Sequence, residues 1–293
     1  MKLHKPAKNS VLSGYLELTK PNILSLVLVT TVLGYYMAGF KNGDLQTLIF
    51  TLLGTALAAG GSGALNHYLE RGYDKLMART RNRPIPAGLI EPQNVLFFGL
   101  ILVLLGTGIL VAAVNTITGF LSLLTAFLYI LVYTPLKRIT WLNTSVGAIP
   151  GALPVLGGWT AATGGMEAGA WVLFAIMYLW QHPHFYAIAW VCKDDFARAG
   201  FKMLPVVEPD GSKTIRQIFW HLILLFPVLS LPFFLGILGN VYLILSIILS
   251  LLFFLSAFPL ALNRSRRSAL LLLKSSVIYL PILLLIIIAD KGF

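Results

Sequence analysis

Read for its apolar runs, the chain falls into nine stretches of about 20 residues, the length a helix needs to cross the hydrocarbon core of a bilayer. They cover roughly 22–40, 45–68, 94–113, 116–135, 144–163, 169–191, 217–237, 241–262 and 268–289. Several intervening segments are only a few residues long, as between antiparallel neighbours in a bundle. Nothing is left over for a soluble domain. The pattern predicts an all-α, polytopic membrane protein, with residues 1–293 forming a single membrane-embedded domain.

The polar positions are as patterned as the apolar ones. Two long polar segments, 69–93 and 192–216, follow the second and sixth runs, an offset of four helices. Both open with acid (Glu70 and Asp74; Asp194 and Asp195), and both carry basic residues and Met or Pro punctuation. The chain therefore reads as a weak duplication of a four-helix unit, about 22–138 and 144–262, with a ninth helix at 268–289. Repeats of this kind place a shared site between their halves.

Composition agrees. The chain is 57% hydrophobic and 11% charged, whereas a soluble domain carries about 25% charge. Of its 22 Lys and Arg residues, 19 fall on one side of the nine runs, Lys41 and Lys291 fall on the other, and Lys274 lies within the last run. The positive-inside rule then places the N-terminus in the cytoplasm and the C-terminus outside. The net charge of +11 is thus read first as topology, and no nucleic-acid partner is implied. The single cysteine, Cys192, excludes an internal disulfide and a multi-cysteine metal site. No cleavable signal and no transit peptide precede the first run. The expected location is a prokaryotic cytoplasmic (inner) membrane, crossed many times.

Small residues crowd the second run (Ala58, Gly60, Gly61, Gly63, Ala64) and the fifth (Gly147, Gly151, Gly157, Gly158). They allow membrane helices to approach closely. Pro150, Pro154 and Pro183 fall inside runs, where they are expected to bend helices and widen a central cavity.

Two motifs carry candidate chemistry. In the first, Asn66, Glu70 and Asp74 recur every four residues at the end of the second run, followed by Met77, Arg79, Thr80, Arg83 and Pro84. Three positions at that step share one helix face over roughly 80° and about 12 Å of rise. Acid at a helix C-terminus opposes the macrodipole, so stability alone does not call for it. Clustered oxygen ligands suit a hard cation such as Mg²⁺, which binds through a few carboxylates plus substrate phosphates. The neighbouring arginines suit the same phosphates. In the second motif, Trp180, Gln181, Pro183, His184 and Phe185 lie inside the sixth run, followed by Asp195, Ala199, Gly200, Met203, Leu204 and Pro205. Gln181, His182 and His184 are costly within a membrane unless they face a cavity or a partner. Asp194 and Asp195 point about 100° apart on a helix, so at most one need face the acidic row.

These two motifs, with Thr19, Lys20 and Pro21 before the first run, resemble the membrane-embedded aromatic prenyltransferase (UbiA-type) superfamily over essentially the whole chain. The segment Trp180–Phe185 is similar to the branch that acts on haem. Phe196 departs from the tyrosine usual after the aspartate, and His182 stands at a variable position of the motif. The resemblance implies a farnesyl transfer from farnesyl diphosphate to a vinyl group of haem b, with water added and diphosphate released. It implies Mg²⁺ held by Asn66, Glu70, Asp74 and Asp195, which would also be the catalytic set. Diphosphate would be bound by Arg79, Arg83 and Lys193 or Lys202. The haem pocket would include His184, Gln181, Trp180 and His182, with iron ligation and a hydrogen bond to the macrocycle edge both open for His184. Membrane lipid is an expected partner, and docking by a haem A synthase or an oxidase assembly factor stays open. The rival readings are a prenyltransferase of a quinone precursor or chlorophyll-like ring and, in a different class, a secondary transporter.

Overall fold

The structure, a computed structural model, describes residues 10–39 and 45–291. Lys2, Lys5, Lys8 and Lys41, counted above in the charge asymmetry, lie outside the described residues, as does the end of the first run at residue 40. Among the described residues there is no β-strand. The helices are α1 (Val11–Leu18), α2 (Pro21–Met37), α3 (Leu45–Asp74), α4 (Pro92–Ala113) and α5 (Thr116–Phe127). A six-residue π turn (Leu128–Tyr133) joins α5 to α6 (Thr134–Leu136). Then come α7 (Asn143–Thr163), α8 (Ala168–Val191), α9 (Lys193–Arg198), α10 (Leu204–Val207), α11 (Ser212–Phe234), α12 (Asn240–Leu255), α13 (Phe258–Asn263) and α14 (Arg266–Lys291).

Among the described residues, six helical segments are long and apolar enough to cross a membrane: α3, α4, the run Thr116–Leu136, α11, the run Asn240–Asn263, and α14. The pair α1 and α2, bent by 44°, meets the same length and composition test when its two helices are taken as one span. The chain is a multi-pass membrane protein. The fifth and sixth predicted runs are the long helices α7 and α8, but their sequences are less apolar. Gly, Thr and Pro dilute α7, and Trp, Tyr, Gln and His dilute α8. The physical reason is position. Both sit inside the bundle, where their polar atoms meet protein and cavity rather than lipid. The largest core cluster draws on both, packing Leu153, Leu156, Trp159, Met177 and Trp180 against Leu222 and Leu225 of α11 and Leu272 and Leu280 of α14.

Glycines set the tightest helix contacts. On α3 and α4, a Cβ on Gly61 would stand 2.6 Å from the Gly99 carbonyl oxygen, and one on Gly106 would stand 2.5 Å from that of Gly54. Between α2 and α7, a Cβ on Gly34 would stand 1.9 Å from the Val155 oxygen. The two backbones touch at these points, and only hydrogen fits between them.

Helix α3 runs six residues past the apolar run, to Asp74, so Asn66, Glu70 and Asp74 share one helix, as their four-residue spacing predicts. The extension holds because tertiary cations meet each acid. The π turn was not foreseen. Pro135 has no N–H to close an ordinary turn. Just upstream the ladder widens, and Thr134 Oγ1 donates to the Tyr129 carbonyl five residues back at 2.8 Å. Such turns gather at functional sites, and this one places Tyr129 and Tyr133 on a cavity wall.

Candidate active site

A cavity of about 420 Å³ runs between α2, α3, α5, α7 and α8. At one end its lining is charged: Lys20, Asn66, Glu70, Arg83 and Lys137, beside Tyr129 and Tyr133. Further in, the lining is Ile23, Leu24, Ala58, Leu121, Ala126, Leu153, Pro154 and Met177, with Trp180, Gln181, His184 and Phe185 on the α8 side.

The charged end is a saturated network. Lys20 occupies the break between α1 and α2 with φ 53° and ψ 64°, a left-handed conformation uncommon for a non-glycine residue and associated with functional sites. That backbone aims its ammonium at Asn66 Oδ1, 2.5 Å away, and at the Tyr129 hydroxyl, 3.1 Å away. Asn66 Nδ2 donates to Thr134 Oγ1 at 3.0 Å, which fixes the amide so that its oxygen faces Lys20. Lys137 donates to Glu70 Oε1 at 2.6 Å and lies 4.6 Å from the centroid of the Tyr133 ring. Burial opposes the charge on Lys137, but the Glu70 carboxylate outweighs it and holds the ammonium above its ordinary range. Asp74 is fully buried, does not line the cavity, and takes Arg83 on both oxygens at 2.8 and 2.9 Å. Thr80 Oγ1 donates to the Asp74 carbonyl. Three cations thus face two carboxylates, a positive balance suited to an anion.

The second acidic segment reaches the first. Asp195 Oδ1 accepts the Ala78 N–H at 3.1 Å and pairs with Arg198. Burial would raise the Asp195 carboxyl, but the Ala78 amide and the two nearby arginines, Arg198 and Arg79, bring it below its ordinary range. Arg79 lies over the Phe196 ring at 4.4 Å, so the phenylalanine standing in place of tyrosine supplies a platform rather than a hydroxyl. Met77, Phe196, Phe201 and Met203 pack between the segments. Asp194 is exposed and Asp195 faces the loop.

Several expected residues do not line the cavity. Arg79 is exposed on the loop, Lys193 lies over Trp190, and Lys202 is exposed, with its backbone N–H on the Lys137 carbonyl. His182 turns away from the cavity, stacks on His221 with ring centroids 3.7 Å apart, and points Nδ1 at the Tyr178 carbonyl. Its neighbour His184 faces the cavity, stacks on Trp180, and places Nδ1 2.8 Å from Ser276 Oγ. Gln181 Nε2 donates to the Ala148 and Met177 carbonyls, which leaves Oε1 over Gly151, where a Cβ would stand 2.0 Å away. The residues missed from sequence are Lys137, Tyr129 and Thr134, and Lys20 reads there only as part of the motif before the first run, with no role. Lys137 and Arg138 had been read only as topology. The one available hint was a pair of basic residues, Lys137 and Arg138, just beyond Tyr133-Thr134-Pro135.

No three Asp, Glu, His or Cys side chains among the described residues converge into a metal-binding group. The donor chemistry still fits Mg²⁺. Asn66 and Glu70 present hard oxygens to the cavity, and ammonium groups already stand on both. A site with few protein ligands is normal for Mg²⁺ that arrives with phosphate oxygens.

A family model described as the UbiA prenyltransferase family matches residues 27–278. The chain is 44% identical over 286 residues to a protohaem IX farnesyltransferase of Solibacter usitatus, covering 94% of this chain and 98% of that one. It is 45% identical over 280 residues to a protohaem IX farnesyltransferase of Salinibacter ruber, with 96% and 99% covered. Among solved structures it is similar in fold to a digeranylgeranylglyceryl phosphate synthase (TM-score 0.81, 20% identity, 96% and 98% covered). It is also similar to a UbiA homologue from Archaeoglobus fulgidus bound to GPP and Mg²⁺ (TM-score 0.68, 19% identity, 96% and 100% covered).

Proposed function

Because this chain belongs to the UbiA prenyltransferase family, we propose that its cavity transfers the farnesyl group of farnesyl diphosphate to a vinyl group of haem b. The observation that carries the reading is the division of one cavity into a cationic end and an apolar interior that ends at Trp180, Gln181 and His184. Identity above 40% with two protohaem IX farnesyltransferases over nearly the whole chain supports the choice of acceptor.

The diphosphate is received at the cationic end. Lys20 and Lys137 exchange their present acceptors for phosphate oxygens, while Arg83 stays on Asp74 through Nη1 and offers its other N–H donors, all as charge-assisted hydrogen bonds. When bound, Mg²⁺ supplies Lewis-acid neutralisation of the leaving diphosphate. Asn66 and Glu70 would hold it, with Asp195 at the rim and Asp74, behind the lining, acting through Arg83. As the allylic C–O bond breaks, its electron pair leaves with the diphosphate, whose charge these groups stabilise. The apolar walls keep water from the allylic cation. The vinyl π-electrons then form the new C–C bond. Water captures the cation left beside the macrocycle and gives up one proton. The product carries a hydroxyethylfarnesyl group, and haem iron travels as part of the substrate.

In this reading all nine long segments cross a prokaryotic inner membrane, α7 and α8 as interior spans, with the charged end on the cytoplasmic side. Asp74 serves chiefly by holding Arg83. Purified protein in lipid discs, given farnesyl diphosphate, haem b and Mg²⁺, should release diphosphate in step with a haem heavier by a farnesyl group plus a hydroxyl. Chelation of Mg²⁺ should stop both. Release that depends on a quinone precursor and not on haem would overturn the proposal.

A further inference from the structure

His184 is held from one side only, and the holder is on a different helix. Ser276 of α14 is fully buried. Its hydroxyl stands 2.6 Å from the Leu273 carbonyl and 2.8 Å from His184 Nδ1. A carbonyl accepts and cannot donate, so the single hydroxyl proton goes to Leu273. Ser276 Oγ must then accept from His184, which places the imidazole proton on Nδ1. The Ser276 backbone carbonyl accepts from Trp180 Nε1 at 3.1 Å, and the Trp180 ring lies against His184 with centroids 5.3 Å apart. Orientation and tautomer are therefore both fixed. Nε2, on the far edge of the ring, has no hydrogen-bond partner among the described residues and belongs to a side chain that lines the cavity. An imidazole whose proton is pinned on one nitrogen by an outer acceptor, with a free lone pair on the other, is the arrangement of a metal-ligating histidine. His182 gives the contrast. Its Nδ1 is pinned to a carbonyl in the same way, but its Nε2 meets Ser145 Oγ at 3.3 Å and its ring faces His221 rather than the cavity.

We propose that Ser276 is a positioning residue that fixes His184 in the Nδ1–H tautomer, so that Nε2 ligates the iron of the porphyrin substrate. The inference rests on the haem reading above and adds what holds the acceptor in place. An iron porphyrin held by one axial bond keeps its macrocycle edge free to present a vinyl group toward the cationic end. Ser276 lies outside the cavity lining, so its effect on haem passes through His184.

The test uses the full chain in detergent or lipid discs with two probes, haem b and metal-free protoporphyrin IX. Ser276→Ala removes the hydroxyl and keeps the backbone carbonyl that holds Trp180. It should weaken haem b binding by about 10- to 100-fold, the usual cost of losing an outer partner of a metal-ligating histidine, and shift the haem absorption bands. Protoporphyrin affinity should stay at the parent value. Ser276→Thr, which keeps a hydroxyl, should restore the parent spectrum. In His184→Gly the histidine-type spectrum should be lost and should return on adding free imidazole. Equal weakening for both porphyrins, or an unchanged haem spectrum in Ser276→Ala and His184→Gly while the parent protein still farnesylates haem, would overturn the iron-ligation proposal and leave the haem reading standing. A parent protein that neither binds nor farnesylates haem would instead remove the reading on which the proposal rests.

Discussion

The two acidic segments do different physical work although they read alike in sequence. Glu70 and Asp74 ride on a 30-residue helix and are buried, each locked to one cation at 2.6 to 2.9 Å. Asp194 and Asp195 ride on the six-residue α9. Asp194 is exposed, and Asp195 shares its charge with an exposed arginine and a backbone amide. Buried ion pairs cost desolvation and are poor stabilisers in themselves, but breaking one leaves an uncompensated charge. Exposed pairs contribute little either way. The first segment is therefore a preset electrostatic frame and the second an adjustable rim.

The largest test of that contrast is Lys137→Met, which strands the Glu70 carboxylate in the bundle. It should cost roughly 3–5 kcal/mol of stability, and adding Glu70→Gln should recover most of the loss without restoring turnover. Detergent-titration unfolding of both variants measures this, and a stable single variant would show that the frame is not preset. Next is Asp74→Asn, which releases Arg83 from a bidentate grip while the protein still inserts. Turnover should fall by about 100- to 1,000-fold, the loss expected when one preorganised charge stabiliser is removed. Product formation near the parent rate would separate Asp74 from the site.

Asp195→Asn keeps an oxygen for the Ala78 amide and loses only the charge. Its effect on stability should stay within about 1 kcal/mol. The acid sensitivity follows from the same contact. Because the folded carboxyl is held below its ordinary value, its contribution is complete above the unfolded value of roughly 3.9. It fades as pH falls through the lower folded value, so contact between the segments should loosen only in strong acid. Hydrogen exchange at the Ala78 amide against pH reads this directly. Smallest of all, Arg198→Ala should leave unfolding within about 0.5 kcal/mol of the parent, since Arg198 is more than half exposed.

Sequence reading went furthest where the signal was local. The four-residue spacing of Asn66, Glu70 and Asp74 and the Trp180–Phe185 block are each contained within a single helix, and the apolar runs are continuous in sequence. It stopped where the partner lay far along the chain. Lys20 meets Asn66 across 46 residues, Lys137 meets Glu70 across 67, and Ser276 meets His184 across 92. His182 and His184 illustrate the same limit. They are two positions apart, and only the packing of α8 against α7, α11 and α14 decides which of them faces the cavity. The runs at 144–163 and 169–191 fold as the long helices α7 and α8, and they are the more polar ones because helices around an internal site carry the polar atoms that the site requires.

The glycine contact between α3 and α4 bears on how damage travels. Gly61 stands five residues before Asn66, about 7.5 Å along the helix, and does not line the cavity. With no side chain between the backbones, α3 and α4 act as a single beam whose end carries the acids. A methyl group at Gly61 is a shim at the pivot, and a displacement of about 1 Å at the far end is enough to cost catalysis about 100-fold. Inherited or engineered lesions at Gly61 or Gly99 would thus present as enzyme defects in protein that is present, inserted and intact at every residue of the pocket.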